Sequence, residues 1–424
     1  MGKVYFARTV PPLVEQGGSL QQRLTAAVHN TGNYFFEAAV ARQLKNSVTL
    51  LDIEALEEPD ATLVLSMSNF ISPSTDLGDV ADLLERKRVE RVVMIGAGAQ
   101  ADNYGDKVSL SAGTLRFLAL LSERSTTIGL RGDYTAEVLN RHGIKNVDVI
   151  GCPSMFYSLD PNFQIAPAAP RQGAARTAFH CTPTGLYRDS IARLIAFGVR
   201  HCDAYIAQSE TYLLGLASDE PQHVQDTEFF FHYYNEGSVA HDVAREWFRR
   251  HTHWFFSLDD WLAFMKGFDF VLGSRFHGNM AALLTGVPAL NLVFDTRTRE
   301  LCEYLNLPTL LLRDFSSSSS LEQLREAADF SLFNATYPAK YEAYRAFLVK
   351  NGVETTLVPQ RIASPMQYDV RARSIRRLTD DLVAAGTCPE GVQQALRLRM
   401  DRGRDLAEGQ RVESGDFART DSAA

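Results

Sequence analysis

The sequence predicts an α/β protein built as two doubly wound parallel-sheet domains facing a cleft. Three observations predict it. Short apolar runs of strand length alternate with helical patterns, the alternation occurs twice along the chain, and a segment rich in proline, alanine and glycine separates the two series. At 424 residues, 45% hydrophobic and 22% charged, the chain also has the length and make-up of two folded domains with an appendage.

In the first half the apolar runs fall at residues 48–51, 62–66, 91–95, 126–130 and 147–150. Each is apolar on both faces, as expected of strands covered by helices on either side. Helical patterns, such as residues 80–87 and 112–122, fill the intervals. These elements define a first domain over 1–160. The sequence DPNFQIAPAAPRQGAA follows, and its prolines favour extended or turn backbone, so residues 161–175 read as a linker. A second series at 177–180, 204–207, 229–231, 268–272, 289–294 and 309–312 defines a second domain over 176–330. Ser320 is placed to cap a helix starting near Leu321, with Gln323 completing a capping box. Residues 331–424 read as a helical extension with a disordered end, and Arg371, Arg373, Arg376 and Arg377 head a charged stretch within it. Doubly wound sheets bind ligands beyond the carboxyl ends of their strands, so two such halves leave a cleft where those ends face.

Composition excludes several classes of function. A net charge of −8 argues against sequence-independent nucleic-acid binding, which needs a positive surface. The five cysteines, Cys152, Cys181, Cys202, Cys302 and Cys388, lie far apart without metal-ligand spacing. They read as reduced thiols of a cytoplasmic protein, with no metal site. The sequence shows neither a signal peptide nor a run of about eighteen apolar residues that would span a membrane. The opening Met-Gly does not read as a myristoylation signal, because Phe6 fills the position that wants Ser or Thr.

The segment that carries chemistry is GSRFHG, residues 273–278. An apolar strand precedes it and a helix over 279–285, stopped by Gly286 and Pro288, is expected to follow. Arg275 and His277 then sit in a strand-to-helix turn, and in extended backbone residues two apart point the same way. Arg275 offers a planar fork of donors for carboxylate or phosphate, and His277 can exchange a proton near neutral pH. The alternatives are an arginine paired with a structural carboxylate and a histidine satisfied within its turn. In the next loop Arg297 either binds an anion or pairs with Glu300, and Arg299 reads as a surface residue.

GSRFHGNMAALLTGVPAL with the D-x-R-x-x-E-L loop over 295–301 resembles the polysaccharide pyruvyltransferase family. So do FSLDDW (256–261), YIAQSE (205–210), NTGNYFFEAA (30–39), IGAGAQ (95–100) and the run from IGLRGDY at 128 to GCPS at 154. The resemblance implies the two-domain glycosyltransferase-B architecture and transfer of a pyruvyl group from phosphoenolpyruvate to a sugar as a cyclic ketal. It implies no cofactor beyond that co-substrate. Because both residues lie at the expected cleft edge, proton transfer is expected of His277 and binding of the donor's phosphate or carboxylate of Arg275.

A trianionic donor needs more than one cation, and Arg131, at a strand end, is a second clamp unless it forms a surface pair with Asp133. Gly96 and Gly98 permit close backbone approach to a ligand. Asn30 and Asn33 flank Gly32 and either contact ligand or cap amides. Gln208 can bond a sugar hydroxyl, Glu210 can act as base for the attacking hydroxyl, and His180 competes with His277 for the acid role. Residues 66–73, SMSNFISP, depart from the glycine-rich loop of the family. The competing functions are a nucleotide-sugar glycosyltransferase of similar fold and a non-catalytic glycan-binding relative. With a lipid-linked sugar as acceptor, the basic stretch from Arg371 to Arg377 would serve to dock on an anionic membrane; its alternative is a solvated helix face.

Overall fold

Apolar runs flanked by amphipathic helices can bury both faces only in a parallel sheet, and every pairing between the strands described below is parallel. A computed structural model describes residues 2–9, 18–27, 29–58, 60–101, 107–166, 175–235 and 237–359. Its first six strands are β1 (Val4–Ala7), β2 (Ser47–Leu50), β3 (Thr62–Leu65), β4 (Arg91–Met94), β5 (Ile128–Leu130) and β6 (Val147–Val149). They run in the order β2-β1-β3-β4, and the pair β5-β6 continues the sheet through a bridge between Ala97 and Leu130. The second series is β7 (Thr177–His180), β8 (Ala204–Ala207), β9 (Thr252–Trp254), β10 (Phe270–Gly273), β11 (Ala289–Val293) and β12 (Thr309–Leu311). Its order is β12-β11-β10-β7-β8-β9. Both sheets are thus doubly wound, and the chain reverses direction across the sheet between β1 and β3 and again between β7 and β10.

The reversal between β7 and β10 positions the candidate site. Gly273 at the end of β10 lies in register with His180 at the end of β7, so the loops after these two strands diverge and leave a crevice at their carboxyl ends. One hydrophobic cluster joins Phe6, Phe35, Val64 and Ile150 of the first half to Ala178, Val271, Met280 and Leu301 of the second. The helix Ser331–Lys350 then packs back on the first half. Tyr344 donates to Gln43 Oε1 at 2.7 Å, its ring stacks on Phe156 at 4.9 Å, and Lys350 pairs with Asp148 at 3.0 Å. The capping box of Ser320 and Gln323 is present.

Three expectations need correction. Residues 229–231 are not a strand but lie in the helix Pro221–Tyr233. Its buried positions, His223, Thr227, Phe230 and Phe231, follow a helical period, while Phe229 is exposed, and three adjacent aromatics hide that period from a local reading. The strands β1 and β9 were not anticipated, because each is short and β9 is only partly buried. The helix after GSRFHG spans Phe276–Leu283 rather than 279–285, with Arg275 as its N-cap. His277 therefore lies inside the first helical turn, and the two side chains do not point the same way.

The described residues within Met1–Gln360 form one compact unit. The basic stretch at 371–377, the chain end, Cys388 and residues 167–174 of the linker lie outside the described residues. Among the described residues, no helix is long and apolar enough to cross a membrane.

Candidate active site

Both glycines of GSRFHG make room for one histidine. A Cβ on Gly273 would come within 2.2 Å of His180 Nδ1, and a Cβ on Gly278 within 2.6 Å of His180 Nε2. His180 is fully buried. Its Nδ1 accepts the backbone N–H of Arg275 at 3.3 Å, which leaves the Nε2 proton to be donated to Asn279 Oδ1 at 3.1 Å. Asn279 in turn donates to the Gly273 carbonyl and to Asn291 Oδ1. Burial, and then the charge of Arg275, push the pKa of His180 down to about 3, so the ring is neutral and structural. Both its ring nitrogens are engaged within the protein, which sets it apart from His277 as a candidate acid.

Arg275 and Glu210 neutralise each other. Arg275 Nη2 lies 2.7 Å from Glu210 Oε1, and Arg275 Nε donates to the Cys181 carbonyl at 2.9 Å. Glu210 is fully buried and also accepts from the Tyr205 hydroxyl and the backbone amides of Gln208 and Ser209. Burial is the largest single influence and lowers the Arg275 pKa, but Glu210 together with Tyr212, Tyr205 and Cys181 outweighs it, and the guanidinium stays charged. Two expectations change as a result. Glu210 is no free base for a sugar hydroxyl, and Arg275 reaches the cleft with its charge already compensated.

The uncompensated cation is Arg131. It follows β5, is 2% exposed, and spends its Nε proton on the Gly96 carbonyl at 2.8 Å. Its guanidinium lies 5.8 Å above the Phe36 ring. Among the described residues it forms no ion pair, so the expected alternative of a surface pair with Asp133 does not fit it. Burial, with Arg297 adding to it against the pull of Cys152, Glu300 and Asp295, lowers its pKa. Arg297 enters from the N-terminus of the helix Thr296–Leu305 and lies 3.5 Å from Asp295 Oδ2, whose other oxygen caps that helix at Thr298 N.

His277 faces these two arginines. Its partly buried ring stacks on Phe35, leans on Phe36, and sets Nε2 3.7 Å from Cys152 Sγ. Burial, then Arg131 and Arg297, hold its pKa well below the ordinary value. Cys152 had no local signal of its own, because its place beside His277 depends on packing across 125 positions of sequence.

Asn30 and Gln208 complete the same pocket from opposite halves. Asn30 Oδ1 accepts Gly32 N at 3.0 Å, and Thr31 N donates to the Gln208 carbonyl at 3.0 Å. A Cβ placed on Gly32 would lie 2.9 Å from Gln208 Oε1, 3.0 Å from Asn30 Oδ1 and 3.2 Å from His277 Nδ1. Three expected site residues therefore converge on one glycine. Gln208 Nε2, Thr31 Oγ1 and Asn69 Oδ1 are buried there or in the 66–73 loop without hydrogen-bond partners, as expected of groups awaiting a polar ligand. Gly32 has φ −60°, so Gly32→Ala introduces a methyl without backbone strain. It should reduce transfer by roughly tenfold or more with a melting temperature near the wild type's, because a misplacement of about 1 Å can lower rates this far. Wild-type turnover in this variant would remove these three side chains from the site.

The halves also lock across the cleft. Glu300 accepts from Thr135 N at 2.9 Å and Thr135 Oγ1 at 2.7 Å, and Ala101 exchanges hydrogen bonds with Thr296 Oγ1 at 3.0 Å. Glu300 thus holds the first half rather than Arg297, and burial pushes its pKa up to about 8. Arg299 pairs with Glu303 at 2.8 Å, in line with its reading as a surface residue. Gly96, at φ 77°, serves the site through the carbonyl that anchors Arg131.

The family model described as polysaccharide pyruvyl transferase matches residues 30–296, which include every element of this pocket up to the start of the last helix. The chain belongs to the polysaccharide pyruvyl transferase family. Membership makes it a transferase that acts on a sugar acceptor in polysaccharide pyruvylation. No curated protein matches the sequence. Among solved structures, the UDP-N-acetylglucosamine 2-epimerase from Rickettsia bellii is 10% identical over 83% of this pyruvyl transferase family member and 94% of its own chain, with a TM-score of 0.38. The S. aureus MnaA–UDP co-structure is 11% identical over 80% and 90%, with a TM-score of 0.36. A putative UDP-N-acetylglucosamine 2-epimerase from Listeria monocytogenes is 10% identical over 80% and 90%, with a TM-score of 0.33. Likenesses this distant carry no weight for the chemistry, which rests on the family and on the chain's own residues.

Proposed function

We propose that this chain transfers the pyruvyl group of phosphoenolpyruvate to a sugar of a glycan or glycan precursor, forming a cyclic pyruvate ketal. The observation that carries the reading is the buried Arg131, which forms no ion pair among the described residues, beside Arg297 and His277. A buried guanidinium without a counterion is costly, and a multiply charged anion supplies what the protein leaves out. Phosphoenolpyruvate has that charge and also needs a proton.

The residues divide the work as follows. Arg131 and Arg297 hold the phosphate and carboxylate of the donor, and Arg275, fixed by Glu210, sets the loop from which the His277 helix starts. Once the anion offsets the two arginines, His277 can carry a proton and deliver it to the methylene carbon. The C=C bond becomes a methyl group, and the carbon bearing phosphate becomes electrophilic. One sugar hydroxyl adds there, phosphate departs with the C–O electron pair, and a second hydroxyl of the same sugar closes the ketal. Of the two hydroxyl protons released, one restores His277 and the other leaves with phosphate. Gln208, Thr31 and Asn69 of the 66–73 loop offer sugar hydroxyls polar atoms that are unpaired among the described residues.

Incubating the protein with phosphoenolpyruvate and a panel of nucleotide-linked and lipid-linked sugars tests the reading by mass spectrometry. The expected product gains one pyruvate less one water, with one phosphate released per transfer. Phosphate release with no acceptor gaining mass, or release of a nucleotide from a sugar donor instead, overturns it.

A further inference from the structure

Far from these residues in sequence, three metal-ligand side chains meet where two helices join. Glu228 and His232 lie four residues apart on the helix Pro221–Tyr233 and so share a face, and His241 opens the next helix, His241–His251. One carboxylate oxygen and one ring nitrogen from each histidine all lie within 4.8 Å of one another. The two imidazoles stack at 4.1 Å, and His241 Nε2 sits 3.3 Å from Glu228 Oε2, shielded from solvent yet without a hydrogen-bond partner. The other oxygen, Glu228 Oε1, is held by Arg245 Nε at 2.6 Å, an ion pair whose alignment falls short of a hydrogen bond. Arg245 therefore orients the carboxylate from behind and leaves Oε2 facing the imidazoles, the arrangement in which a second partner steadies a metal ligand.

We propose that Glu228, His232 and His241 bind a divalent transition-metal ion of the zinc type, with solvent completing its coordination. Two imidazoles and one carboxylate are a donor set suited to zinc, and its ligand atoms stand about 3.4 Å apart around a tetrahedral ion. Closing the present spacing to that value requires side-chain rotation at His232, which is exposed, and at His241 and Glu228, which are partly exposed. The ion ties the two helices together at the outer edge of the second half, whose inner faces are already joined through Phe230, Phe231 and Phe248. A protonated His241 paired with Glu228 would explain their proximity without a metal. The two accounts differ in His232, which the ion pair does not need and the metal does.

The test uses the full chain, stripped with a chelator, and zinc alone as the probe. Calorimetry near neutral pH should show one equivalent bound to the wild type, and that equivalent should be lost in both His232→Ala and His241→Ala. Glu228→Gln should weaken binding about tenfold or more, the size expected for removal of a charged ligand or its support. His253→Ala, which alters a histidine outside the cluster, should leave it intact. Zinc should raise the melting temperature of the wild type by a few degrees and leave His232→Ala unmoved. Equal stoichiometry in the wild type and His232→Ala overturns the proposal, as does absence of zinc binding to the wild type. Unliganded melting temperatures close to the wild type's show that the variants fold, and pyruvyl transfer plays no part in either readout.

Discussion

Arg131→Met lowers the affinity for phosphoenolpyruvate by roughly 30- to 4,000-fold, the range that corresponds to about 2–5 kcal/mol for removing one partner of a buried charge pair. The same substitution leaves the protein at least as stable as the wild type. Both effects have one cause. Arg131 is 2% exposed and, among the described residues, its side chain is hydrogen-bonded only to the Gly96 carbonyl and has no ion pair, so in the absence of ligand its charge is a net burden on the fold. Methionine keeps much of the volume and the contact with Phe36 while removing that charge. A purely structural arginine predicts the reverse: a lower melting temperature with donor affinity unchanged. The measurements are the KM for phosphoenolpyruvate, the turnover number at saturating donor, and a thermal melt. A lower melting temperature together with an unchanged KM would sink the assignment of Arg131 to the donor.

His277→Gln lowers the turnover number by about 10²–10⁴-fold, the range for loss of a general acid, with a much smaller change in donor KM. Glutamine is chosen over alanine because the ring fills space against Phe35 and Phe36, and truncation would leave a cavity there. In the free protein, burial and then Arg131 and Arg297 hold the His277 pKa well below its ordinary value, so the imidazole is neutral near pH 7. A bound trianion would offset both arginines and raise that pKa by their share of the depression, while burial, its largest cause, persists. A group whose pKa rises on binding takes up a proton, so donor affinity is highest at low pH and falls as pH rises through the pKa of the complex. Calorimetry in two buffers of different ionisation enthalpy should show more proton uptake on phosphoenolpyruvate binding by the wild type than by His277→Gln. Equal uptake by the two proteins would remove His277 from the proton path.

Much of the fold was legible because its signals are local. The apolar runs that became β2 to β6 and β10 to β12 stand out against the helices between them, since burial on both faces of a parallel strand leaves a continuous hydrophobic stretch. Phe229, Phe230 and Phe231 misled for the same reason, because three aromatics in a row suit a strand or a helix equally until the positions of Thr227 and His223 are known to be buried as well. Within the site, GSRFHG, Arg131, Asn30 and Gln208 could be placed at strand ends or turns, and strand ends of doubly wound sheets are where ligands bind.

Sequence by itself determined the class of fold, most of the strands along the chain and the family, and it put forward residues 273–278 as the expected place of the chemistry. Only the tertiary structure decided which charged groups are free to use. Arg275 looked like the anion clamp until Glu210, from the loop after β8, was found against it at 2.7 Å; Arg131 looked like a candidate for a surface pair until it proved buried and without an ion pair among the described residues. His180 and His277 were rivals until one was seen between the amide of Arg275 and Asn279 and the other between Phe35 and Cys152. Hydrophobic periodicity is written in neighbours three or four positions apart. Charge compensation depends on residues that packing brings together from distant segments, and no spacing along the chain records it.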